Sequence, residues 1–170
     1  MNDFSKFTND ETEIIAILEQ IVKEWFEKKV NGDKQWTIRI KTLLADLGYK
    51  KGYDVSTSGL EDKTVTEWLY DFVWYKENSE KYIETVPLVL ECEWGRKLKD
   101  IKFDFEKLLL ANSEMKFMIC QAKPNQFEQF CNYFEKAVSS YQLLQSGSRI
   151  VVAILDDYNT GLFTYKLFVK

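Results

Sequence analysis

Residues 86–122 restrict the fold more than any other part of the chain, because three patterns follow one another there. "VPLVLECEW" (86–94) is a mostly apolar run of strand length. "DIKFDFEKLL" (100–109) then places Ile101, Phe105, Leu108 and Leu109 on one stripe of a helix. "KFMICQA" (116–122) is a second, nearly continuous apolar run, suited to a central position in a sheet. A helix between two such strands must cross over and cover the sheet, so the chain is read as one mixed α/β domain.

The remaining pattern extends this unit in both directions. A first helix spans about 9–30. Thr8 and Glu11 have the spacing of a capping box, and Ile14, Ile15, Ile17, Leu18, Ile21, Val22, Trp25 and Phe26 form its stripe, up to a stop at Asn31-Gly32. That stripe either packs on its own domain or forms the contact of a homodimer. A second helix is expected over 37–47, closed by Gly48, and strands are expected over 53–57 and 65–75. The 65–75 and 86–94 strands are joined by a short polar link and are expected to be antiparallel neighbours. A helix over 125–145 and two last strands, "RIVVAILDD" and "LFTYKLFV" with the turn "YNTG" between them, complete the order α-α-β-β-β-α-β-α-β-β.

Composition removes several chemistries. There is no histidine, so this chain supplies no Ser-His-Asp or Cys-His machinery and no histidine-ligated zinc. A metal here would be a hard cation held by oxygen. The three cysteines (Cys92, Cys120 and Cys131) lack C-x-x-C spacing and read as reduced core thiols. No apolar run has membrane-spanning length, and the acidic N-terminus does not read as a secretory signal, so a cytoplasmic protein with no membrane partner is expected.

Acids interrupt the strands at informative places. Glu91 and Glu93 are two apart, so strand geometry points both carboxylates to one face, with Cys92 on the other. Asp71 breaks an otherwise aromatic run, with Glu67 four residues before it. If the two strands pair, Asp71 lies beside Glu91. Like charges at the edge of a core repel unless a cation joins them, unless they face water, or unless lysines pair with them. Lys107, in the following helix, either reaches these acids or pairs with Asp104 three residues away.

An Asp in one strand, "Glu-x-acid" in the next and a crossover helix to another strand resemble the PD-(D/E)XK, or restriction-endonuclease-like, nuclease superfamily. "LECEWG…DFEKLL" also looks like small bacterial proteins of that type. The resemblance covers residues 36–122. It implies an α-β-β-β-α-β core with a mixed sheet, an extra N-terminal helix (9–30) and a C-terminal α-β-β extension (124–170). Asp71 matches the family's Asp without a preceding Pro, and Glu91 matches its Glu. Glu93 stands where Lys is usual, and Lys107 is placed as a migrated Lys. The implied function is metal-dependent hydrolysis of phosphodiester bonds in nucleic acid, DNA first, in phage, mobile-element or defence biology.

In that resemblance Asp71, Glu91 and the main-chain carbonyl of Cys92 hold Mg²⁺ or Mn²⁺, Glu93 handles the attacking water, and Lys107 steadies it or the developing phosphoryl charge. Arg39, Lys41, Lys50, Lys51, Arg96, Lys97 and Lys99 flank the acids and are either a phosphate-backbone surface or ordinary surface charge. The alternatives are an inactive nuclease-like fold that binds protein or nucleic acid, and an unrelated α/β protein whose acids face solvent.

Overall fold

The computed structural model describes residues 4–28, 32–60, 65–156 and 160–170. Helix α1 (Asn9–Lys28) begins at the expected capping box. The Thr8 main-chain N–H donates to Glu11 Oε2 at 2.8 Å, and the Glu11 N–H donates to Thr8 Oγ1 at 3.2 Å. Helix α2 (Asp33–Lys50) follows Gly32, whose φ of 108° favours glycine. Asn31, the expected stop, and the beginning of the "YNTG" turn lie outside the described residues.

Gly48 was expected to close α2, but the helix continues to Lys50. A Cβ at Gly48 would come within 2.4 Å of Trp74 Nε1. The glycine lets the indole lie against the helix backbone, where it donates to the Leu44 carbonyl at 3.0 Å.

Strands β1 (Asp54–Thr57), β2 (Phe72–Glu77), β3 (Ile83–Glu93), β4 (Met115–Ala122), β5 (Arg149–Asp156) and β6 (Phe163–Val169) form one mixed sheet in the order β1-β2-β3-β4-β5-β6. Pairs β1/β2, β2/β3 and β5/β6 are antiparallel, while β3/β4 and β4/β5 are parallel. The parallel joints are made through helix α3 (Leu98–Leu110) and helix α4 (Phe127–Ser140). The expected 125–145 helix is shorter, because Tyr141 leaves helical geometry with ψ near 106°.

The sheet has two covered faces. Ile14, Leu18, Ile21, Ile40 and Leu44 of α1 and α2 pack on Phe72, Trp74, Leu88, Leu90, Phe117 and Ala153. Ile101, Phe105, Phe130 and Phe134 of α3 and α4 pack on Val73, Val89, Met118 and Val152. Alternate residues of each strand thus enter opposite cores. The β4 run is central as expected, and all of its residues are buried. The α1 stripe packs within its own domain as far as Trp25, while Phe26 is exposed. The C-terminal elements are as integral as the rest, since β5 lies between β4 and β6. Cys92, Cys120 and Cys131 are free thiols. Among the described residues no helix is long and apolar enough to cross a membrane.

Candidate functional site

The site forms where β2 begins and β3 ends. Phe72 pairs with Leu90, so the next pair outward sets Asp71 opposite Glu91. The expected strand over 65–75 starts only at Phe72, however. Side chains of β1 replace the ladder before it. Ser56 Oγ donates to the Thr66 carbonyl at 2.7 Å and accepts from the Trp68 N–H at 3.1 Å, and Thr57 Oγ1 donates to the Asp71 carbonyl at 2.6 Å. The irregular segment is thereby fixed, and Asp71 Oδ2 accepts the Cys92 N–H at 2.9 Å.

Glu91 is 1% exposed. Its Oε1 lies 2.5 Å from Lys107 Nζ in a close ion pair and has no other polar partner among the described residues. Burial is the main reason the Glu91 carboxyl is pushed up to about 8; the Lys107 ammonium opposes the shift, and the nearby charges of Asp71 and Asp104 add to it. Lys107 also meets Asp104 Oδ1 at 3.2 Å and lies over the Phe103 ring at 5.8 Å. Both sequence readings of Lys107 therefore hold at once. Its own titration is raised, because contact with Glu91 and Asp104 outweighs burial.

Glu93 is engaged locally, at the end of β3. Its Oε1 accepts the Gly95 N–H, and a Cβ at Gly95 would lie only 2.7 Å from that oxygen. Burial raises the Glu93 carboxyl first; the Gly95 N–H opposes this, and the adjoining Asp104 raises it further. Asp104 therefore links Glu91, Lys107 and Glu93. The end of β3 is held by Trp94, whose Nε1 donates to Thr37 Oγ1 at 2.7 Å and whose carbonyl accepts from Gln121 Nε2.

The basic residues separate into distinct roles. Lys41 is 4% exposed, so it is not a solvent-facing phosphate contact. It enters the site from α2, with Nζ 3.2 Å from Glu67 Oε2 and 3.5 Å from Asp71 Oδ1. Burial raises the Glu67 carboxyl, but the Ser58 hydroxyl at 2.5 Å and Lys41 outweigh it and hold the group below its usual range. Arg39 makes a bidentate pair with Glu24 at 2.9 and 2.7 Å, and Lys51 pairs with Asp10 and Glu13 of α1. Lys50, Arg96, Lys97 and Lys99 are exposed, the last three beside the end of β3.

Asp104, Glu67 and the inward role of Lys41 complete a constellation that the sequence only partly marks. The signal for Lys41 is its position on the stripe Lys41, Leu44, Ala45, Gly48, all buried. A lysine on a buried stripe implies a carboxylate waiting for it.

Among the described residues no group of three Asp, Glu or Cys side chains is arranged to hold a metal ion. Asp71 and Glu91 remain as a pair of carboxylates, a donor set that fits a hard cation keeping water or substrate phosphate as its other ligands. No protein-family model, curated protein or solved structure matches the chain.

Proposed function

We propose that the protein is a metal-dependent nuclease of the restriction-endonuclease-like type, with Asp71 and Glu91 at its centre. The order α2-β1-β2-β3-α3-β4 is the one that the PD-(D/E)XK resemblance implies, and it supports the reading. The observation that carries the proposal is Glu91: a fully buried carboxyl, opposite Asp71, whose Oε1 meets an ammonium delivered by the next helix.

In this reading Asp71, Glu91 and the Cys92 carbonyl hold Mg²⁺ or Mn²⁺. When bound, such an ion acidifies a water and polarises phosphoryl oxygens. Glu93, its carboxyl raised by burial and by Asp104, takes the proton of the attacking water. Lys107 faces charge developing on the phosphoryl group. Lys41 holds Asp71 and Glu67 in place without facing solvent. Exposed Arg96, Lys97 and Lys99 supply phosphate-backbone contacts next to the acids. A cytoplasmic protein acting on DNA, in mobile-element or defence biology, follows from this reading.

The second reading is a non-catalytic nuclease-like module that binds nucleic acid or protein. It is favoured by Glu93 in the place of the usual Lys and by two lysines already neutralising the acids. Calorimetry with Mg²⁺ and Mn²⁺, paired with cleavage assays on plasmid, single-stranded DNA and RNA, separates the two. Metal binding and cutting that vanish together in Asp71→Ala/Glu91→Ala support the nuclease. Nucleic-acid binding without cutting at any metal concentration supports the module.

A further inference from the structure

One buried lysine has no countercharge among the described residues. Lys116 lies in β4 opposite Val89, on the sheet face covered by α3 and α4, and is 2% exposed. Its Nζ donates to the Ser113 carbonyl at 3.1 Å. Among the described residues it forms no salt bridge, and burial alone lowers its titration, with no carboxylate opposing the shift. Lys41 and Lys107 are, by contrast, paired to acids.

Lys116 lines a cleft of about 130 Å³ between the end of α3, the turn after it and the segment after α4. Leu109 and Leu144 give the cleft apolar walls, while Ser113, Tyr141 and Ser148 bring polar groups to it. None of the acids of the β3 site lines this cleft. A buried ammonium in such a place is unfavourable unless an anion enters with it.

We infer that this cleft is a binding site for a small oxyanion, a carboxylate or phosphate group, with Lys116 as its counterion. The Lys116 ammonium provides the charge. The volume of about 130 Å³ limits the guest to a few heavy atoms. Binding restores the charged form of Lys116, so ligand and ammonium stabilise each other. The inference does not depend on the nuclease reading.

The test is a thermal-unfolding titration of the full chain with sodium acetate and with sodium phosphate, against sodium chloride at matched ionic strength. Wild type and Lys116→Met are compared, methionine keeping the bulk and removing the charge. A rise that grows with the logarithm of anion concentration, about 4 °C at ten times the dissociation constant, is expected in wild type and absent in the variant. Response to acetate alone identifies a carboxylate guest, and response to phosphate alone a phosphate guest. No rise in wild type, or an equal rise in both proteins or with chloride, overturns the site. Should Lys116→Met not fold, carbon-labelled lysine NMR of the wild type decides: the buried lysine's titration must move up when the anion saturates, and an unchanged midpoint overturns the inference.

Discussion

Among the described residues two carboxylates are almost wholly buried, and they are treated in opposite ways. Glu11 is 0% exposed and completely engaged. Arg149 grips both of its oxygens, at 2.8 and 2.7 Å, and the Thr8 N–H adds a third hydrogen bond. The planar guanidinium fixes α1 to the start of β5, far along the chain. Glu91 is 1% exposed, and its Oε1 meets a single flexible ammonium, that of Lys107, at 2.5 Å. The first arrangement closes a structural joint. The second rests on one ammonium where the first has three hydrogen bonds.

The sharpest way to break this comparison is activity. Asp71→Ala should reduce metal-dependent cleavage on the order of 1,000-fold or more while leaving the fold intact, measured by plasmid nicking and circular dichroism together. Glu11→Ala should do the reverse. It leaves Arg149 half-buried without its partner and should cost about 3–5 kcal/mol in urea unfolding, with activity per folded molecule unchanged. If Asp71→Ala destabilises as strongly as Glu11→Ala and no cleavage exists to lose, both acids are structural and the contrast disappears.

The pH dependence of stability sharpens the Glu91 side. Its folded-state carboxyl titrates at about 8, above the ordinary value of 4.5. Between those values the folded protein holds more protons than the unfolded chain, so this group makes stability fall as pH rises. Relative to Glu91→Gln, wild type should lose on the order of 3 kcal/mol between pH 5 and pH 8, read from urea midpoints at each pH. A flat difference between the two proteins would show that Lys107 keeps Glu91 ionised throughout. The smallest expected effect is on the Glu11 side: Thr8→Ala removes one side of the capping box and should cost about 1 kcal/mol, with no change in activity.

These outcomes also separate what could be read in the one-dimensional chain from what could not. The two-residue spacing of Glu91 and Glu93 and the period of the α3 stripe determine which side chains share a face, because strand and helix geometry is local. The capping box at Thr8 and Glu11 is likewise local, and it forms as read. The 65–71 segment was illegible because hydroxyls of Ser56 and Thr57, from another strand, take the bonds a ladder would have made. Gly48 was misread for the same kind of reason, its cause being an indole 26 positions later in the chain.

Sequence alone thus determined the mixed α/β class, most of the elements and the placing of acids at the end of one strand. Tertiary structure decided which of those acids meet. The register of β2 on β3 sets Asp71 opposite Glu91, and the crossing of α3 brings Lys107 and Asp104 to them. It also buried Lys41 among acids and Lys116 away from any. Helix and strand periods follow from the backbone of neighbouring residues. The fate of a charge depends on what distant segments put beside it.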